Sequence, residues 1–441
     1  MRILHISRFC YLFSIGGTEK FQEQVLKLSR KNGINAEFMV LKDTAGGISL
    51  LDEDLRIWSC YRDESTDMFP WLFPREEKTI ECFERYIAEE GKPDILCFHT
   101  FGQAECAIAK VAKIMNIPYS LVYHAPAWSC ITGRLLKWNN QICNGKISLF
   151  ACGRCFLQHR YKLPLIGYIL LLPLIYSCNY IFPWMPKRLS MITTLWKKLS
   201  RRKQILTEFF RGAASFIAFS SHGDSVFLQN GGESSRLRRL AQGVGVDFEE
   251  ALDKYLCENK DRKLRNGKLK ISIIGRCSKE KGIHIVLKAF EFLKDLDAEL
   301  HILGVDKSKP YADELLKIAG NDNRVYFHEL VPYDEVISYY CQTDILAIPS
   351  IGYETGPITL FEGLAAGCTV MGSGMIGQIE TLRKHGIVVD PNTPEAWTTA
   401  LQEAIPGALQ RRTAPFPENI RNFQTVTDEL NQILREHINH E

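Results

Sequence analysis

Acidic residues are absent from a long part of this chain. Between Cys106 and Thr207, a span of 102 residues, there is no aspartate or glutamate, while lysine and arginine number fifteen. The formal net charge is +3, so the rest of the chain sums to −12. This imbalance excludes an evenly mixed surface and implies that one face of one domain meets something anionic, a membrane surface or a nucleic acid. Charge of either sign is also lacking from Leu163 to Met185, 23 residues reading LPLIGYILLLPLIYSCNYIFPWM, a length that could cross a bilayer. Pro164, Pro173 and Pro183 interrupt it, and strand-like segments of one domain lie on both sides, which argues against a single span. With Lys187, Arg188, Lys197, Lys198, Arg201, Arg202 and Lys203 close behind, it reads either as an element lying in the interface of an anionic leaflet or as an apolar helical hairpin buried within the domain. A charged leader with an apolar core and a cleavage site is missing after MRILHIS. Secretion is therefore not expected, and the fourteen cysteines are expected as reduced thiols in a cytoplasm.

What is present suffices for two domains. The 441 residues are 46% hydrophobic, enough for two cores of ordinary domain size. Buried-strand patterns at Arg2 to Ser7, Ala36 to Leu41, Asp94 to Thr100, Tyr119 to His124 and Ala214 to Ser221 alternate with helical patterns at Thr18 to Lys31 and Gln103 to Met115. In the first helix Phe21, Val25 and Leu28 share one face, and Gly33 ends it. This alternation specifies a doubly wound α/β domain. A second series of strands follows at Leu269 to Gly275, Ala298 to Gly304, Arg324 to Phe327, Ile345 to Pro349 and Thr369 to Met371. The predicted division is a first domain over 1–246 with an apolar and basic insert at about 156–205, a linker over 247–268, a second domain over 269–415, and a C-terminal segment over 416–441 that returns to the first domain.

Chemistry concentrates after two strands of the second domain. The strand ending at Gly275 is followed by Arg276 and, four residues later, Lys281-Gly282. The strand ending at Pro349 leads through a loop carrying Glu354 into a helix over Gly356, Pro357, Ile358 and Thr359, with Glu362 eight positions after Glu354 and Gly367 as the stop. Thr355 or Gly356 is expected as cap and Pro357 as first helical residue. A helix N-terminus at the carboxyl end of a strand favours an anion. Two carboxylates beside it would repel that anion unless they grip something else, and sugar hydroxyls are the obvious candidate.

Together these residues resemble the G-R-x4-K-G and E-x7-E motifs of retaining glycosyltransferases of family 4, glycosyl transferases group 1. The resemblance implies the GT-B fold, two Rossmann-like doubly wound domains facing a central cleft. It implies that Arg276 and Lys281 clamp the diphosphate of a nucleotide-sugar, Glu354 contacts the donor sugar and Glu362 the ribose. In the first domain Gly16-Gly17-Thr18-Glu19 resembles the G-G-x-E loop of the same family, and His124, at its strand end, stands where members have a histidine that bonds the donor sugar. His328 and Glu329 stand where members usually have a glycine near the base, which leaves uracil versus guanine open. The resemblance does not extend to the insert.

Two further patterns are weighed beside it. Cys130, Cys143, Cys152 and Cys155 are spaced C-x12-C-x8-C-x2-C, either a structural zinc site or buried free thiols. The triplets Asp52-Glu53-Asp54 and Asp295-Leu296-Asp297 follow no buried strand, so metal-assisted transfer is disfavoured and no catalytic metal or cofactor is expected. The sequence thus predicts a cytoplasmic enzyme, peripheral on the inner face of the plasma membrane. It would move a sugar from a UDP- or GDP-sugar to a lipid-linked glycan in surface polysaccharide synthesis, with no nucleic-acid partner. A soluble glucan- or disaccharide-forming transferase and a non-catalytic nucleotide-sugar or nucleic-acid binder remain as alternatives.

Overall fold

The computed structural model describes residues 1–13, 16–42, 47–62, 77–139, 141–162, 164, 166–170, 195–259, 267–412, 414, 417 and 420–438. The chain divides into two compact units, Met1–Leu240 with Thr427–Glu441, and Ala241–Val426.

In the first unit, strands β1 (Arg2–Ser7), β2 (Asn35–Lys42), β3 (Ser49–Asp52), β4 (Ile57–Tyr61), β5 (Ile95–Phe98), β6 (Tyr119–Tyr123), β7 (Ser215–Ala218) and β8 (Leu237–Arg239) form one sheet. Their order is β3-β4-β2-β1-β5-β6-β7-β8. Every pair is parallel except β3 with β4. The central strands β5, β6 and β7 are buried at every position, which explains their unbroken apolar runs. Helix Gly17–Lys31 buries Phe21, Val25 and Leu28 on one stripe, as the period requires, and Gly33 follows with φ 76°. The C-terminal helix Phe423–Arg435 contributes its residues from Thr427 onward to this unit, where Asn431 Nδ2 donates to Ser29 Oγ at 2.9 Å.

Three expectations need correction. The stretch from Ala214 to Ser221 holds only the four-residue β7, and β8 lies beyond it at the sheet edge. The sequence of β8, Leu-Arg-Arg, is short and charged, as sheet edges tend to be, and an apolar-run search passes over it. The expected linker is helical over Val246–Glu258, with Asp247 and Glu249 in the first turn and Phe248 and Leu252 buried in the second unit's core; its residues 260–266 lie outside the described set. In the insert, the basic cluster does not all face outward. Lys198 is buried on helix Leu195–Gly212, and Arg202 on the same helix donates to the carbonyls of Ala127 and Trp128. Desolvation pushes Lys198 down to about 8 and Arg202 to about 10. Residues 171–194, most of the apolar stretch with Lys187 and Arg188, lie outside the described set. Among the described residues no helix is long and apolar enough to cross a membrane.

In the second unit, β9 (Leu269–Ile274), β10 (Ala298–Leu303), β11 (Val325–His328), β12 (Ile345–Ile348), β13 (Thr369–Ser373) and β14 (Ile387–Val389) form a wholly parallel sheet ordered β11-β10-β9-β12-β13-β14. One face packs Ile271, Phe290 and Trp397 into a core, and the other packs Leu346, Tyr340 and Phe361. The direction of strand order reverses between β9 and β12, which pair through Ile345 opposite Ile271. At such a reversal the connections leave to opposite sides and open a crevice at the carboxyl ends of the strands.

Candidate functional site

The crevice of the second unit is built by the two chain segments that leave β9 and β12. After β9 the chain passes through Gly275 to Arg276, then makes a single 3-10 turn, Lys279–Lys281. Gly282 follows with φ 68°, and a Cβ there would lie 2.0 Å from the carbonyl oxygen of Pro349. Only glycine combines that left-handed backbone with so close an approach. The backbone N–H groups of Ile351 and Gly352 both donate to the carbonyl of Glu280, at 2.8 and 3.0 Å, which ties the loop after β12 to the turn after β9.

This tie brings distant side chains together. Lys281 Nζ lies 2.7 Å from Glu354 Oε2, and the hydroxyl of Ser350 donates to Oε1 of the same carboxylate. Arg276 is exposed and has no ion-pair partner among the described residues. Arg276, Lys281, Ser350 and Thr359 share the walls of a shallow, open depression. Its floor is apolar, from Ile273, Ala347 and Ile348. Two fixed cations over such a floor form a seat for a polyanion, because low-dielectric surroundings strengthen the attraction. The carboxylate of Glu354, only 18% exposed, provides acceptors at the edge of the same seat.

The loop carrying Glu354 is braced from behind. Glu354 N–H donates to the carbonyl of Met375 at 3.1 Å, and Gly377 N–H donates to the carbonyl of Glu354 at 2.6 Å. A Cβ on Gly377 would come within 2.3 Å of the Thr355 carbonyl oxygen. Asn392 Nδ2 donates to the carbonyls of Pro349 and Ser350, and its own Oδ1 accepts from the indole of buried Trp397 at 2.7 Å. Sequence reasoning missed Ser350 and Asn392. A serine one residue past the strand carries no periodic signal, and Asn392 comes from a loop that only the fold brings near.

The helix after this loop runs Ile358–Ala365, with Pro357 as its cap residue and Gly367 at φ 70° closing it. Pro357 was expected one position further in. Without an N–H it fits either place, and its ψ of 117° is extended, not helical. Gly356 packs beside the Gln242 side chain, whose Cγ would lie 2.9 Å from a Cβ at Gly356. Glu362 does not share the depression with Lys281. It is buried, and the phenol of buried Tyr340 donates to its Oε2 at 2.6 Å.

In the first unit, Gly16 caps helix Gly17–Lys31 in an extended conformation without a side-chain bond. Phe21 of that helix meets the His124 ring edge-on at a centroid distance of 4.7 Å. His124 follows β6 directly and is half-buried. Its Nε2 lies 2.9 Å from His99 Nδ1, and His99 Nε2 lies 3.0 Å from His5 Nδ1. Burial pushes His5 down to about 4 and His124 to about 3, and holds His99 well below the ordinary histidine range. All three rings are neutral at pH 7. His99 and His5 were missed because His5 lies on β1 and His99 just past the end of β5, 94 residues apart.

The four spaced cysteines lie near enough to interact electrostatically with one another, although no three of their sulfurs fall within 4.8 Å of each other. Among the described residues, the group of three potential ligands within 4.8 Å of one another is His5, Cys97 and His99. Cys130 bonds Thr132 Oγ1 at 3.2 Å, and Cys152 accepts from the Ser148 N–H at 3.4 Å. Burial raises Cys143, and raises Cys152 and Cys155 to about 11, which keeps them thiols. All four side chains are partly exposed.

Comparison with known proteins agrees with this geometry. The family model of glycosyl transferases group 1 matches residues 258–418, which hold both segments of the crevice. An uncharacterized glycosyltransferase of Methanocaldococcus jannaschii is 32% identical over 132 residues, 29% of this chain and 34% of that protein. A capsular polysaccharide biosynthesis glycosyltransferase of Staphylococcus aureus is 26% identical over 233 residues, 49% of this chain and 60% of that protein. The chain thus spans about a third and three fifths of the length of these two curated relatives. The solved structure of HepE from Anabaena, in complex with UDP, is similar with a TM-score of 0.61 at 14% identity, over 99% of this chain and 100% of that one. At that identity the likeness shows the fold alone, and the fold is GT-B.

Proposed function

We propose that this protein is a retaining glycosyltransferase that moves a sugar from a nucleoside-diphosphate-sugar to a hydroxyl of an acceptor. The observation that carries the reading is the convergence of Arg276, Lys281 and Glu354 at the strand-order reversal of the second unit. Breaking the bond between the anomeric carbon and the diphosphate sends the bonding electron pair to the phosphate oxygen. Arg276 and Lys281 supply fixed positive charge where that negative charge gathers, at little reorganisation cost. Glu354 accepts hydrogen bonds from sugar hydroxyls, with Ser350 and Lys281 fixing its orientation. His124 and the Gly16-Gly17 loop are assigned to the sugar as well. Glu362, held by Tyr340, is assigned to the ribose.

No metal step is assigned. Asp52 lies at the end of the half-exposed strand β3 and accepts from the Leu55 N–H at 2.8 Å, a local turn. The donor is assigned as UDP- or GDP-linked; HepE of Anabaena was solved with UDP. The acceptor is assigned as a lipid-linked glycan at an anionic, cytoplasmic membrane face. Support for that comes from Phe150, Ile166, Ile169 and Leu170, which are exposed apolar side chains within the acid-free stretch. They lie near exposed Arg160 and Lys162, the pairing of apolar and cationic groups that interfacial elements use.

The test is incubation of the full chain with UDP- and GDP-sugars, alone and with lipid-linked acceptors, scoring release of nucleoside diphosphate. Turnover of one donor class that is lost in Glu354→Ala while the fold persists supports the reading. Unchanged turnover in that variant removes it.

A further inference from the structure

The four spaced cysteines of the first unit stand on three segments that fold against one another. Cys130 follows the single 3-10 turn Pro126–Trp128. Cys143 closes a hairpin in which its N–H donates to the carbonyl of Leu135 at 2.7 Å and Leu136 bridges Ile142. Cys152 and Cys155 lie one turn apart on helix Leu149–Tyr161 and so share a face. Cys143, Cys152 and Cys155 each lie close enough to Cys130 for their charges to interact, and Cys155 is that close to all the other three.

Three of the sulfurs are supplied with backbone donors. The N–H of Ser148 donates to Cys152 Sγ at 3.4 Å, that of Gly145 to Cys143 Sγ and that of Trp138 to Cys155 Sγ. A thiol sulfur is a weak acceptor, whereas a thiolate makes the stronger, charge-assisted bond. The Cys143-Asn144-Gly145 turn depends on its glycine, because φ is 77° and a Cβ there would lie 2.4 Å from Val226 Cγ2. Buried Asn230 holds this turn, donating to the Gly145 carbonyl at 2.9 Å and accepting from the Ile147 N–H at 3.0 Å. Charge points the same way. No aspartate or glutamate stands between Cys106 and Thr207, and the Arg202 guanidinium lies close enough to Cys130 and Cys152 to be stabilised by negative charge there.

We infer that Cys130, Cys143, Cys152 and Cys155 bind a zinc ion as a closed tetrathiolate that ties the chain leaving β6 to helix Leu149–Tyr161. No three of the sulfurs lie within 4.8 Å of one another, so binding draws them inward. Zn–S bonds of about 2.3 Å set sulfur–sulfur edges of roughly 3.8 Å. The movement falls on Cys130 and Cys143, which sit in irregular segments, while the helix fixes the other two. Zn²⁺ and four thiols give a tetrathiolate of net charge −2 and four released protons. That charge offsets the cations of a stretch with no acidic side chain. With every position of the tetrahedron filled by sulfur, the ion has none for water or substrate, and its role is structural.

The test is elemental analysis of the full chain, purified without chelator, beside the double variant Cys152→Ser/Cys155→Ser and the control Cys257→Ser, whose cysteine is exposed and belongs to the second unit. About one zinc ion per chain in the wild type and the control, and none in the double variant, is expected. Zinc well below one per chain in the wild type, iron in its place, or full zinc in the double variant overturns the inference. Should the double variant not fold, cobalt exchanged into the wild type decides. The visible bands of a tetrahedral cobalt ion with sulfur-to-cobalt charge transfer support the site, and a spectrum without that charge transfer removes it. Stripping the wild type with a chelator is expected to lower its melting temperature, and zinc to restore it. An unchanged melt after the zinc has gone contradicts the structural role. None of these readouts depends on sugar transfer, so the zinc site and the glycosyltransferase reading stand or fall separately.

Discussion

Lys281 Nζ lies 2.7 Å from Glu354 Oε2, although the two residues are 73 positions apart. The pair joins the carboxyl ends of β9 and β12, the two strands between which the sheet reverses its order. Lys281 is 31% exposed and Glu354 18%, so the pair is worth little as a stabilising ion pair. Its value lies in position. Glu354→Gln is expected to lower donor turnover by roughly 10²- to 10³-fold, the usual cost of losing one preorganised polar contact in the transition state, with the melting temperature nearly unchanged. Steady-state kinetics beside a thermal melt checks this; a large melting shift with intact turnover would make the pair structural.

Gly282 is expected to tolerate no side chain. At φ 68°, with Pro349 O 2.0 Å from the position of a Cβ, Gly282→Ala must push the loop after β12 away from the turn after β9. Strain of about 1–3 kcal/mol is expected, visible in urea unfolding. Donor affinity should fall too, because Lys281 and Glu354 are set by that contact. Wild-type affinity in Gly282→Ala would show that the loop position is not needed.

Tyr340→Phe is expected to destabilise the second unit by about 1–3 kcal/mol, because it removes the phenol that donates to the buried Glu362 carboxylate at 2.6 Å. The companion Glu362→Gln keeps an acceptor for Tyr340 and should cost less. Equal costs for the two variants in chemical denaturation would contradict the assignment of the penalty to the buried charge.

Stability should fall as pH drops below the ordinary histidine range. The folded pKa values of His5 and His124 are about 4 and about 3, and that of His99 is also depressed, against 6.5 in the unfolded chain. Between about pH 6.5 and 4 the unfolded state therefore binds protons that the native state does not. The stability these rings contribute is fully present above 6.5 and is lost as pH falls, by up to about 1.4 kcal/mol per pH unit for each ring. Urea midpoints at pH 7 and 5 check this, with His5→Gln expected to flatten the slope. A slope unaffected by that variant would place the acid sensitivity elsewhere.

Membrane attachment is read out directly. Vesicles rich in anionic lipid should float the protein at low salt and release it as salt screens the cationic insert. Absence of binding at low salt would remove the lipid-facing assignment.

Much of the second unit was legible because its signals are local. Buried parallel strands announce themselves as apolar runs such as Ile345–Ile348, and Gly275, Arg276, Lys281 and Gly282 fall within eight residues of one another. Joining them to Glu354 rested on a family resemblance, and the backbone bonds from Ile351 and Gly352 to Glu280 supply the physical reason. What stayed hidden depends on the fold. Strands β3 and β4 are short and pair with each other antiparallel before a stretch with little periodicity. Helix Val246–Glu258 reads as a polar connector because few of its residues are buried. Lys198 and Arg202 look like surface charge in the sequence, yet their helix turns them inward. The histidine series is invisible along the chain, since residues 5, 99 and 124 meet only when β1, β5 and β6 lie side by side.

The central claim is that Arg276 and Lys281 hold the diphosphate of an activated sugar. Calorimetric titration of UDP and GDP onto the full chain, its Arg276→Ala variant and its Lys281→Met variant tests this most directly. The account predicts saturable one-to-one binding of one nucleotide to the wild type, weakened roughly 10-fold or more in each variant, the loss of about 1.4 kcal/mol or more from one charge-assisted contact. Equal affinity in all three proteins, or no binding to any, would contradict it.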